Sequence, residues 1–163
     1  MKTITLTVNQ QKYTLEISED IRLIDLLRDN IGLTGTKEGC SEGECGACSV
    51  IMNGDIVASC LVLAFQADNS EIITIEGMAN LDGSLHPIQK AYLEEGAVQC
   101  GFCLPGMVLA TKALLDANPK PTRAEIREGL SGNLCRCTGY SKMVDAVEKV
   151  VKNSLPRGTE YEA

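Results

Sequence analysis

Eight cysteines dominate the chemistry available to this chain of 163 residues. Four of them, Cys40, Cys45, Cys48 and Cys60, follow the spacing C-x4-C-x2-C-x11-C. A C-x4-C-x2-C run is the plant-type [2Fe–2S] spacing. A rhombic core of two irons and two sulfides takes two thiolates on each iron, and three of the four can come from one loop wrapped round it. The loop Gly43-Glu44-Cys45-Gly46-Ala47-Cys48 is suited to this, because glycine lets backbone N–H groups approach sulfur closely. Glu38, Glu42 and Glu44 add negative charge nearby, which is expected to lower the potential of such a centre.

The other four, Cys100, Cys103, Cys135 and Cys137, are spaced C-x2-C-x31-C-x1-C. Each pair precedes a predicted helix, where free N–H groups and the positive dipole end favour thiolate anions. Taken alone, this set also suits a structural zinc ion with four thiolates, although the single residue between Cys135 and Cys137 is unlike a C-x2-C zinc knuckle. Disulfides are disfavoured: the N-terminus alternates polar and apolar residues and lacks an export signal, so a cytoplasmic, reducing location is expected.

Composition and charge narrow the function classes further. A net charge of −7 disfavours nucleic acid, and no apolar run approaches the ~18–20 residues of a membrane span. Residues 1–78 carry 5 Lys/Arg against 12 Asp/Glu, whereas residues 79–163 carry 10 of each. His86 is the sole histidine and precedes Pro87, so a Ser-His-Asp triad has almost no support, and no HExxH helix exists. The segment Gly32–Lys37 fails the phosphate-loop spacing.

The elements that must position these cysteines divide the chain in two. In the first half Ile4, Leu6 and Val8 alternate, as do Tyr13, Leu15 and Ile17, a hairpin pattern around Asn9-Gln10-Gln11. Ser18 is expected to cap a helix over 21–29 that Gly32 ends. Asn53-Gly54 signals a second hairpin, with strands at 50–52 and 55–58, then a short helical segment near 59–66 and a strand near 71–76. Residues 77–85 read as a linker. The second half reads as helices at 87–95, 105–117, 122–130 and 140–153, with Thr122 and Glu125 forming a capping box and 154–163 frayed. The fold class is α+β: an N-terminal domain (1–78) of strands around one helix, then an all-α four-helix bundle (79–163).

Three stretches carry a family resemblance: Lys37–Cys48 (KEGCSEGECGAC), Gly96–Cys103 (GAVQCGFC) and Ser131–Tyr140 (SGNLCRCTGY). The chain resembles the small iron–sulfur subunit of the molybdenum hydroxylases, the xanthine dehydrogenase and aldehyde oxidoreductase family, over about residues 3–152. Leu104 departs from the family's usual threonine, at a position that is not a ligand. The resemblance implies a β-grasp ferredoxin-like domain and a four-helix domain, each with one [2Fe–2S] cluster. It implies electron transfer from molybdopterin on a large subunit, through the helical-domain cluster and then the ferredoxin-domain cluster, to FAD on a medium subunit. It also implies that Gln99 and Cys137 lie against the molybdopterin. No substrate chemistry is expected on this chain. The best expectation is xanthine-type hydroxylation of an N-heterocycle. Nicotinate, aldehyde, carbon monoxide and aromatic acyl-CoA enzymes stay open, as does a free-standing two-cluster ferredoxin.

Overall fold

The computed structural model describes residues 1–154. The expected fraying of 154–163 falls, apart from Ser154, outside the described residues. The architecture is α+β, a five-stranded sheet followed by helices. No helix among the described residues is long and apolar enough to cross a membrane.

β1 (Lys2–Val8) and β2 (Gln11–Ile17) pair antiparallel, with Val8 opposite Gln11. The turn is therefore the two residues Asn9-Gln10, both at positive φ (50° and 68°), as a twist-matched hairpin requires. β3 (Ser49–Met52) and β4 (Asp55–Ala58) repeat the device around Asn53-Gly54. β5 (Glu71–Ile73) lies between β1, to which it is parallel, and β3, to which it is antiparallel, giving the order β2-β1-β5-β3-β4. Ile4, Leu6, Val8, Val50 and Ile72 pack on Leu23, Leu26 and Leu27 to form the first core.

Three expectations for this half need correction. Ser18 does not cap the helix; its hydroxyl bonds Asp20. The helix starts later, α1 (Leu23–Asp25), because Leu23 N–H donates to Val62 O (2.7 Å) and Ala64 N–H to Ile21 O (2.8 Å), holding residues 21–22 extended. α1 then widens into a π-helical turn (Leu26–Asn30), with Ile31 N–H reaching Leu26 O at 3.0 Å. The segment near 59–66 is helical only as a 3-10 turn, Ala64–Ala67. The last strand stops at Ile73, since the Asn9 side chain grips Thr74 through N–H···Oδ1 and Nδ2–H···Oγ1 bonds, both 2.9 Å. A 3-10 turn, Ile75–Gly77, follows.

The remaining helices are α2 (Pro87–Glu94), α3 (Leu104–Ala117), α4 (Arg123–Gly129) and α5 (Ser141–Ser154). Pro87 occupies the first turn of α2 and Pro105 that of α3, where no N–H is needed. Thr122 and Glu125 form the capping box of α4. A second core of Tyr92, Met107, Leu109, Ile126, Met143 and Val147 joins the four helices, and it also takes in Ile51 from β3 and Met78 from the expected linker. Lys149 ties α5 to α2 through Glu94 and Glu95, and Arg123 ties α4 to α5 through Asp145 and Glu148.

Candidate iron–sulfur sites

The first cysteine set lies where β3, β4 and α1 converge on the loop 36–48. Cys48 ends that loop and Cys60 follows β4. Both thiols are buried, packed with Ile24 of α1. Ser59 Oγ donates to Cys48 O (2.7 Å), and Ile24 N–H donates to Ser59 O (3.2 Å), so α1 and the Cys48/Cys60 edge are one unit. The other edge, Cys40 and Cys45, is partly open to solvent. Cys40 Sγ accepts the N–H groups of Glu42 and Cys45, each at 3.4 Å. Those donors pull the Cys40 thiol down to about 7, whereas burial pushes Cys48 up to about 11. Ser41, Gly43 and Gly46 all take positive φ, which lets the loop turn its amides inward.

Arg22 braces this loop from outside. Its guanidinium binds Asp25 through two bonds (2.7 and 2.8 Å) and reaches Glu38 at 2.5 Å, and Glu38 accepts Ser41 Oγ at 2.8 Å. The charge of Glu38, expected to lower the potential of the site, is compensated by Arg22, while Glu42 and Glu44 remain exposed.

The second set is assembled from two segments. Cys103 is the N-cap of α3 and is half-buried; Cys100 is exposed, with Gly101 at φ 82° between them. Cys135 and Cys137 precede α5, as expected, with a loop of Thr138, Gly139 and Tyr140 between, the last two at positive φ. The loop serves the site directly: Thr138 Oγ1 donates to Cys135 Sγ (3.2 Å), and Cys135 N–H donates to Tyr140 Oη (2.9 Å). Gln99 Nε2 donates to Cys137 O at 3.1 Å, tying the two segments together.

Within each set the thiols are close enough to act on one another: Cys48 on Cys60 and Cys45 and Cys40 on Cys45 in the first, Cys103 on Cys135 and Cys100 and Cys137 on Cys100 and Cys135 in the second. Burial, reinforced by Cys135, pushes the Cys103 thiol up to about 12. Four thiols per set, with N–H and O–H donors already directed at sulfur, fit a two-iron core that takes two thiolates on each iron. Spacing alone assigns no role to Thr138, Tyr140 or Arg22. Their part depends on loop geometry that no local pattern encodes.

The comparisons agree with this arrangement. Residues 6–73 match the 2Fe-2S iron-sulfur cluster binding domain family, and residues 74–148 match the [2Fe-2S] binding domain family. The nicotinate dehydrogenase small FeS subunit of Eubacterium barkeri is 57% identical over 150 residues, covering 92% of this chain and 95% of that one. The xanthine dehydrogenase iron-sulfur-binding subunit of Escherichia coli O157:H7 is 50% identical over 148 residues, covering 89% and 91%. The crystal structure of quinoline 2-oxidoreductase from Pseudomonas putida 86 superposes with a TM-score of 0.90 at 40% identity, covering 96% of this chain and 97% of that one. With both halves matched in order and both cysteine sets in place, the chain belongs to the small [2Fe–2S] iron–sulfur subunits of the molybdenum hydroxylase family, components of oxidoreductase complexes.

Proposed function

We propose that this chain binds two [2Fe–2S] clusters and relays electrons from molybdopterin on a large subunit to FAD on a medium subunit of a cytoplasmic complex. The observation that carries the reading is that two matched domains each gather four thiols, with donors already directed at Cys40 and Cys135. Cys40, Cys45, Cys48 and Cys60 hold the first cluster; Cys100, Cys103, Cys135 and Cys137 hold the second. The clusters supply one-electron transfer with no proton or bond change. The division at 78/79 separates a β-grasp ferredoxin-like domain from a four-helix bundle.

What this chain's own residues contribute is placement. α1 and Ser59 fix the buried Cys48/Cys60 edge, and Arg22 with Glu38 fixes the loop on the open edge. Thr138 and Tyr140 orient Cys135, and Cys103 stands at the N-cap of α3. At the second site Gln99, Cys100 and Cys137 are exposed, with Gln99 bonded to Cys137 O, and this is the face on which Gln99 and Cys137 would meet molybdopterin. The substrate class is an N-heterocycle, in keeping with relatives named for nicotinate, xanthine and quinoline.

Metal analysis and EPR of the anaerobically purified, dithionite-reduced protein test the reading. The expected result is about four irons and four sulfides per chain, no zinc, and two distinct S = 1/2 signals. About two irons with one zinc would leave the second set structural and remove the entry point of the relay.

A further inference from the structure

The first cysteine loop is held partly by the other half of the molecule. Cys45 O accepts the N–H of Leu134 at 2.9 Å, and Gly46 O accepts Asn133 Nδ2 at 2.9 Å. The Asn133 amide is 5% exposed and also donates to Ser49 Oγ at 3.2 Å. Gly46 O in addition closes a turn with Ser49 N–H at 3.1 Å.

Space has been cleared for this contact. A Cβ on Gly46 would stand 2.4 Å from Gly132 O and 2.5 Å from Asn133 Nδ2. A Cβ on Gly106, in α3, would stand 2.2 Å from Gly46 O and 2.8 Å from the same Nδ2. Three segments therefore pass at backbone contact, with one amide side chain between them. An alanine at either glycine would force them apart.

The consequence follows from peptide geometry. A trans peptide is planar, so its C=O and N–H point in opposite directions. With the Cys45 and Gly46 carbonyls drawn toward the helical half, the N–H groups of Gly46 and Ala47 are turned away from it, back into the cysteine loop. Both residues are buried, and among the described residues neither N–H finds an acceptor. Buried N–H groups are almost always paired. The acceptor chemistry at hand in a loop carrying Cys40, Cys45 and Cys48 is anionic sulfur.

We propose that Asn133, acting with the Leu134 amide, is a positioning residue for the first cluster: from the opposite half it aims the Gly46 and Ala47 N–H groups at the sulfurs of that cluster and thereby sets its potential. The inference rests on the two-cluster reading. Such N–H···S bonds favour the reduced, more negative state. Losing their alignment makes the first cluster harder to reduce and leaves the second, to which Asn133 is nearer in sequence, unchanged.

The test is a redox titration followed by EPR on the iron-loaded protein, with the first signal identified as the one that Cys60→Ala removes. Asn133→Ser should keep full iron and shift the first-site midpoint to a more negative value, with the second-site midpoint unmoved. If Asn133→Ser does not load, the backbone ester made by placing the α-hydroxy analogue of leucine at position 134 removes a single N–H and should give the same selective shift. A merely structural role would lower loading or stability without a shift confined to the first site. Two wild-type signals with no selective shift in the variants overturn this inference alone. A wild-type protein lacking one signal overturns the two-cluster reading and the inference with it.

Discussion

The first site is wrapped by one loop and backed by a helix, so half of its sulfur donors are buried within its own domain. The second joins two segments separated by 31 residues between Cys103 and Cys135, and it leaves Cys100 and Cys137 exposed. In the first site, therefore, the chain itself supplies much of the low-dielectric surroundings. In the second, the exposure of Cys100 and Cys137 leaves that task to whatever docks there. An internal station and an interface station are what an electron relay at the edge of a larger complex needs.

The largest expected effect breaks one site and spares the other. Cys60→Ala should remove about half the iron and the whole first EPR signal, and Cys103→Ala should do the same for the second signal, because a two-iron core missing one of four thiolates is not retained. Loss of both signals from either single variant would mean that the sites do not assemble separately.

The two cores provide the next comparison. Leu26, under the sheet, and Leu109, among the helices, are both fully buried. Truncating either to alanine should cost about 2–5 kcal/mol and lower the thermal midpoint of the iron-loaded protein by about 4–20 °C. The halves share Ile51, Met78 and the Gly46–Asn133 contact, so a single transition is expected for both variants, seen alike by far-UV circular dichroism and visible absorbance. Two separated transitions, only one of which moves in each variant, would show that the contact between halves is too weak to couple them.

The difference between the sites also governs what the sequence reveals. The first set, the hairpins at Asn9-Gln10 and Asn53-Gly54, and the four later helices are encoded by residues close together, so spacing and periodicity expose them. The start of α1 is not, because it is decided by the bridge between Arg22 and Leu63, residues far apart in sequence, which overrides the Ser18 signal. Nor is the hold of Asn133 on Gly46, which joins residues 87 apart in sequence. Thr138 and Tyr140 fall between these cases: they lie next to Cys135, yet their bonds to it depend on two successive residues, Gly139 and Tyr140, at positive φ.

The smallest expected effect concerns the acidic residues around the first loop. Removing a negative charge near a cluster favours its reduced form, so neutralisation should raise the midpoint potential. The structure divides the three glutamates, because Arg22 and Ser41 bond the Glu38 carboxylate and hold its pKa below the usual range, whereas Glu42 and Glu44 are exposed and unbraced. Glu42→Gln with Glu44→Gln should therefore give a small upward shift of the first midpoint that shrinks as salt is raised, since the Debye length falls from about 10 Å at 0.1 M to about 3 Å at 1 M. Glu38→Gln removes a charge but also frees Arg22 from that partner, so bare electrostatics predicts a similar upward shift and loss of the brace predicts a disturbed loop. The expected signature is a broadened or altered first EPR signal that persists at high salt, with the second unchanged. A plain salt-sensitive shift matching that of Glu42 and Glu44 would show that Glu38 acts only through its charge, and that Arg22 does not hold the open edge.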